Sequence, residues 1–248
     1  MDSSRRPRSI VVLGSPGGPR GRRWRDAVGG AATAAGAGFA SPGARSVGAG
    51  RGQDPVSGAV FDFTLEPRRW IDLDTITEVT VAGLRDAGVW ARGLRHLDAL
   101  LATKRTGPVP GVRVGLSTAA ALRAAPRPGP AALDLAVPVL PRPSGRAEKL
   151  ALREHLARAW GDRPLLDGGV WVEVTMASTG SLLGPLEPTL DTLEPVLGRD
   201  PRGHQEFFPR DDLVVWLRVL RSGHGAVRPR LRLGLVAERP EGTRGAEP

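Results

Sequence analysis

The chain has no cysteine and no tyrosine, and Lys104 and Lys149 are its only lysines among 35 lysine and arginine residues. Without cysteine there is no disulfide framework, no thiolate metal site and no cysteine nucleophile, which leaves oxygen and imidazole chemistry. Long apolar runs are missing as well. Ile10 to Leu13 is far too short for the hydrophobic core of a signal peptide, and no later run approaches the ~18 apolar residues of a membrane span. A soluble, cytoplasmic protein with no membrane partner is expected. Histidine is sparse: His96, His155, His204 and His224 show no metal-ligand spacing and are expected at the surface. The glycines after the first apolar run, Gly14 to Gly18, lack the spacings of a phosphate-binding loop and suit a proline turn.

Arginine, alanine, glycine and proline are abundant, a composition typical of GC-rich coding. The net charge of +9 and the pI near 11.4 suit a polyanionic partner, because clustered cations release counterions when they bind nucleic acid. The codon bias weakens that argument. Much of the surplus lies in Arg5, Arg6, Arg8, Arg20, Arg22, Arg23 and Arg25, which equally suit a solvated arm. At 248 residues the chain is long enough for one large domain or two small ones.

The two halves of the sequence line up in order, as in an internal repeat. In the first, the β-branched run Ile10 to Leu13 is followed by a proline and arginine loop and an alanine-rich helical stretch, Trp24 to Ala37. In the second, Leu133 to Leu140, a loop at 141–146 and a helical stretch Ala147 to Trp160 follow the same plan. Two alternating strands come next, Val60 to Leu65 and Val170 to Met176. Then Glu78-Val79-Thr80-Val81-Ala82-Gly83-Leu84 lies over Glu187-Pro188-Thr189-Leu190-Asp191-Thr192-Leu193. Leu97-Asp98 falls opposite Asp211-Asp212, and Val112 to Leu116 opposite Leu231 to Leu235. The expected organisation is a basic arm (1–8), a first α/β module (9–117) with a flexible insertion (38–57), a linker (118–131), a second module (132–238) and a disordered tail (239–248).

The chemistry centres on Asp72 and Asp74, one residue apart where an extended segment turns into a helix. Alternation places both side chains on one face, where their oxygens can meet a hard cation such as Mg²⁺ or Mn²⁺, and Asp98 is the candidate third ligand. Three carboxylates on the ends of rigid elements suit metal-assisted phosphodiester hydrolysis. A purely structural reading competes. Thr75-Ile76-Thr77-Glu78 fits a capping box with Thr75 as N-cap, in which case the two aspartates only favour the positive end of the helix.

The segment from Ile71 to Leu84 resembles the hallmark of RusA-like crossover-junction endodeoxyribonucleases, the Holliday-junction resolvases. That hallmark is D-x-D-N-x-x-K-x-x-x-D-x-L running into a helix, followed by a strand headed by an acidic pair. Asp72, Asp74 and Leu84 match it, as does Asp98 at the second position of the pair. The loop Pro16-Gly17-Gly18-Pro19-Arg20-Gly21-Arg22 and the strand around Val112 also resemble that family. Thr75 replaces its asparagine and Glu78 its lysine. In the second half Ser181 and Leu183 stand where the metal-binding pair belongs and Glu187 takes the lysine position, so only Asp191, Asp211 and Asp212 are retained.

The resemblance implies an α/β fold of two tandem modules, each a mixed sheet with helices packed on it, pairing as an intramolecular pseudo-dimer. It implies a Mg²⁺- or Mn²⁺-dependent, structure-selective endodeoxyribonuclease acting on branched DNA through Asp72, Asp74 and Asp98. Arg20, Arg22, Arg23, Lys104 and Arg105 are then the expected phosphate contacts, and Glu78, Glu187, Asp191, Asp211 and Asp212 belong to degenerate positions. The alternative is a catalytically inactive DNA-binding or partner-binding protein of the same fold.

Overall fold

The computed structural model describes residues 9–16, 21–35, 57–67, 71–89, 97–176, 180–222 and 228–237. The basic arm 1–8, Arg20, nearly all of the insertion at 38–57 and the tail 239–248 lie outside these residues. The fold is α/β, with a mixed sheet of eight strands in the order β1-β4-β2-β3-β7-β6-β8-β5. The first four are β1 (Ser9–Leu13), β2 (Gly58–Leu65), β3 (Ala99–Thr106) and β4 (Gly111–Ser117). The last four are β5 (Leu133–Ala136), β6 (Val170–Met176), β7 (Val214–Arg221) and β8 (Arg230–Leu235).

The pairing reads the same from either edge inward. β2 runs parallel to β3 and antiparallel to β4, and β6 runs parallel to β7 and antiparallel to β8. Phe61 lies between Ala102 and Val114, as Val172 lies between Leu217 and Leu233. Val11 faces Arg113 as Asp134 faces Arg232. The two sets of four strands meet where β3 and β7 pair antiparallel, Ala99 opposite Leu220 and Thr103 opposite Trp216.

Strand alternation sorts side chains between two unlike faces. Phe61, Phe63 and Leu65 of β2 enter the main core, whereas Asp62 is exposed on the other side. The core face is covered by α1 (Arg22–Ala34), α2 (Leu73–Asp86), α4 (Arg146–Trp160), α5 (Leu186–Leu190) and α6 (Glu194–Leu197). In α2, Leu73, Ile76, Thr77, Thr80, Val81 and Leu84 recur at three- and four-residue spacing and form the buried stripe. Its buried threonines are satisfied within the helix, Thr77 Oγ1 donating to the Leu73 carbonyl (2.6 Å) and Thr80 Oγ1 to that of Ile76 (2.7 Å).

α1 and α2 touch through glycine. A Cβ built on Gly83 would stand 2.5 Å from the Arg25 carbonyl oxygen and 3.0 Å from Val28 Cβ. Beside that contact Trp24 Nε1 donates to Thr80 Oγ1 (2.9 Å). Gly83→Ala must separate the helices, and urea unfolding is expected to show a loss of about 2 kcal/mol. An unchanged midpoint would mean that the helices are not in this contact.

The expected linker at 118–131 is built structure. Thr118 Oγ1 accepts from the Ala121 N–H (3.1 Å) and starts α3 (Ala119–Ala124), which packs Ala119 and Leu122 against Ala99, Leu101 and Leu220 on the face opposite the core. The chain then crosses the back of β6–β8, where the Ala132 N–H donates to Leu233 O and Ala237 N–H to Pro128 O (both 2.9 Å). Arg218, only 2% exposed, holds this crossing by donating to Leu122 O (3.0 Å) and Ala125 O, while its Nε bonds Glu173 (2.7 Å).

Candidate functional site

Asp72 is the last extended residue before α2, with φ −70° and ψ 139°. Leu73, 1% exposed, sits in the core and starts the helix there. The start is therefore three residues ahead of the Thr75 N-cap expected from the capping-box pattern. Asp72 holds the N-cap position itself but makes no side-chain capping bond. Asp74 follows in the first turn and is 4% exposed. Its Oδ1 is buried and has no hydrogen-bond partner. An ionised buried oxygen without a partner is costly, and burial accordingly pushes the Asp74 carboxyl up to about 7. The Thr75 N–H opposes that shift, and the negative charges of Asp72 and Glu78 reinforce it.

The second half supplies the rest. Because β3 and β7 are antiparallel, the start of β7 lies beside the end of β3. Asp211 and Asp212 form the single 3-10 turn that leads into β7, and this brings them to Asp72 and Asp74. Burial pushes the Asp211 carboxyl up to about 8, with further contributions from the charges of Asp72 and Asp74, a hydrogen bond shared with Asp72, and the charge of Asp191. Asp191 is bonded by Lys149 Nζ at 2.5 Å.

Lys104 stands among these acids. Its Nζ donates to the Ile71 carbonyl (2.9 Å), the residue before Asp72. Burial lowers its pKa, opposed by the charges of Asp72, Asp212, Asp211 and Asp74. Lys104 was expected in a basic loop exposed to phosphate; it is instead a largely enclosed cation on β3. Register explains this, since Lys104 pairs with the core residue Phe63 and shares its face of the sheet. Arg202 adds positive charge at the rim: its pKa is raised mainly by its bond to Asp200 and also by the fields of Asp212 and Asp72. No feature of the sequence had singled out Arg202.

Asp98 is placed elsewhere. It precedes β3, while Lys104 lies near the other end of that strand, about 20 Å away along extended chain. Its carboxylate meets Arg221 Nε at 3.2 Å, and Arg221 Nη2 also donates to Leu97 O (3.2 Å) and Gly180 O (2.7 Å). Nearby, Ser181 Oγ accepts from the Leu183 N–H (3.2 Å), and Leu183 is buried. Glu78 and Glu187 approach one another where α2 meets α5. Burial, then the charge of Glu187, raises the Glu78 pKa. Arg22 and Arg23 are exposed at the start of α1, while Arg105 lines a cleft of about 380 Å³ on the opposite face with Asp62 and Arg113.

Among the described residues, no three histidine, aspartate or glutamate side chains converge closely enough to hold a single ion as they stand. The chemistry of the donors nevertheless fits a hard cation: they are all carboxylates, and one buried oxygen lacks a partner. Compared with family models, curated proteins and solved structures, the chain gives no match. No described helix is long and apolar enough to cross a membrane.

Proposed function

We propose that the two halves are diverged copies of one module, paired as an intramolecular dimer, and that the protein is a metal-dependent, structure-selective endodeoxyribonuclease resembling RusA-like resolvases. The observation that carries this reading is the acidic cluster: Asp211 of one half shares a hydrogen bond with Asp72 of the other, Asp74 and Asp212 lie within the same field of charge, and an Asp74 oxygen is buried without a partner. Asp72 holds the N-cap position without a side-chain capping bond, so capping does not account for it. The correspondence of strand registers supports the duplication.

Asp72, Asp74, Asp211 and Asp212 would hold Mg²⁺ or Mn²⁺. Such an ion lowers the pKa of bound water and neutralises charge on a phosphodiester. The protein's own residues orient the reaction around it. The N-terminus of α2 favours the carboxylates at its head. Lys104 fixes the turn into that helix through the Ile71 carbonyl. Arg202 at the rim, with Arg22 and Arg23 on the same side of the sheet, provides phosphate contacts that position a duplex without reading its sequence.

A composite site gives one cutting centre per chain, because the corresponding place in the other half carries Ser181, Leu183 and the Asp98–Arg221 pair. Incubation with a synthetic four-way junction and Mg²⁺ or Mn²⁺ is expected to give nicks in one strand per bound chain, lost with EDTA and in Asp72→Asn. Junction binding with no cleavage in either metal would favour the second reading, an inactive DNA-binding protein. That reading draws on the carboxylates not being closed around a point.

A further inference from the structure

The chain writes its positive charge almost wholly as arginine, yet both of its lysines lie at the acidic cluster: Lys104 faces Asp72, Asp74, Asp211 and Asp212, and Lys149 bonds Asp191. A guanidinium is a broad planar fork, whereas an ammonium is a compact charge with three donors. Lys104 uses that compactness, meeting the Ile71 carbonyl at 2.9 Å from within the sheet's core face.

The other half shows what the position holds where only one of the corresponding carboxylates, Asp98, remains and is already paired with Arg221. Phe63 pairs with Lys104 on β3, and the matching pair in the second half is Val174 with Val219, which is fully buried. There, Ser181 and Leu183 replace the carboxylates. The lysine is thus present beside the four-carboxylate cluster and absent where a single carboxylate is paired with an arginine.

We infer that Lys104 is the resident cation of the carboxylate cluster and that its fixed charge sets the cluster's affinity for a divalent ion. This rests on the metal-site reading above. The ammonium neutralises part of the cluster's negative charge when no ion is present, and it repels an arriving dication. A neutral side chain at position 104 therefore makes the cluster a stronger cation site, whereas a residue with only a supporting role would leave affinity unchanged or weaken it.

Calorimetric titration of Mn²⁺ into the full-length protein without DNA tests this, using wild type, Lys104→Met, Lys104→Gln and Lys104→Arg, with thermal melts to verify folding. Lys104→Gln retains a donor for Ile71 and reports on charge even where Lys104→Met fails to fold. Both neutral variants are expected to bind Mn²⁺ about tenfold more tightly or better, the Coulomb effect of one unit charge near a dication, and Lys104→Arg to stay within about threefold of wild type. Binding that appears only in the neutral variants also supports the inference. Neutral variants within about threefold of wild type, or weaker, overturn the role of Lys104 while leaving the metal site standing. No binding by any of the four proteins overturns both.

Discussion

Asp211→Asn is expected to silence nicking of a four-way junction as completely as Asp72→Asn, by at least about 100-fold in kcat, while Asp98→Asn retains activity within about threefold. The sequence alone groups Asp98 with Asp72 and Asp74, because all three lie in one half. The antiparallel pairing of β3 with β7 instead joins the head of α2 to the start of β7. Asp211 shares a hydrogen bond with Asp72, and Asp98 is tied to Arg221 near the opposite end of β3. Single-turnover cleavage at saturating Mg²⁺ separates the arrangements. Loss of activity in Asp98→Asn with retention in Asp211→Asn would place the chemistry within one half and refute the composite site. Stability offers an independent check, since Asp211→Asn removes a crowded charge and is expected to stabilise the cation-free protein at pH 8 by on the order of 2 kcal/mol.

How much of this was legible beforehand depended on the range of the interaction. Local patterns were readable: the alternation of Val60 to Leu65 matches β2, and the run 147–160 lies within α4. The competing capping pattern points three residues beyond the true start of α2 because it is a local signal, whereas the burial of Leu73, which sets the start, is tertiary. The Pro-rich stretch before β5 reads as a linker because its hydrogen bonds are made with distant backbone groups, the Leu233 carbonyl and the Ala237 N–H. Lys104 read as a surface cation because nothing adjacent in sequence shows that it shares a face with Phe63.

The corresponding positions also differ in a physically coherent way. Asp62, between Thr103 and Arg113, is exposed, with Thr103 Oγ1 donating to it at 2.8 Å. Its counterpart Glu173, between Arg218 and Arg232, is 1% exposed beneath the chain that crosses from α3 to β5. The first half has carboxylates at the head of its helix and an exposed Asp62 on the opposite face of its sheet. In the second half those carboxylates are gone and a buried ion-pair network holds the connecting segment.

Glu173→Gln is expected to be the most destabilising single polar change, costing about 3–5 kcal/mol, because it leaves the buried Arg218 guanidinium without its counter-charge. Glu173 accepts from Arg218 Nε (2.7 Å), Arg127 Nη2 (2.8 Å) and Arg232 Nη1 (3.0 Å). Asp62→Asn, at the corresponding exposed position, should change stability by no more than about 0.5 kcal/mol. Burial alone would raise the Glu173 pKa, but hydrogen bonds from Arg127 and Arg218 outweigh it and hold the group below its ordinary range. Its stabilisation is therefore present above the ordinary glutamate pKa of ~4.3 and lost as pH falls through the lowered folded value. Asp74 and Asp211 act in the opposite direction. Their folded values near 7 and 8 give stability that is full below the ordinary aspartate pKa of ~3.9 and lost as pH rises through those values. The cation-free protein should thus melt highest at about pH 4–6, lose stability on both sides, and recover on the alkaline side when Mg²⁺ neutralises the cluster. Thermal melts at pH 3, 5 and 8 with and without Mg²⁺ measure this, and a melting temperature that rises from pH 5 to 8 without the ion would contradict the crowding of Asp74 and Asp211.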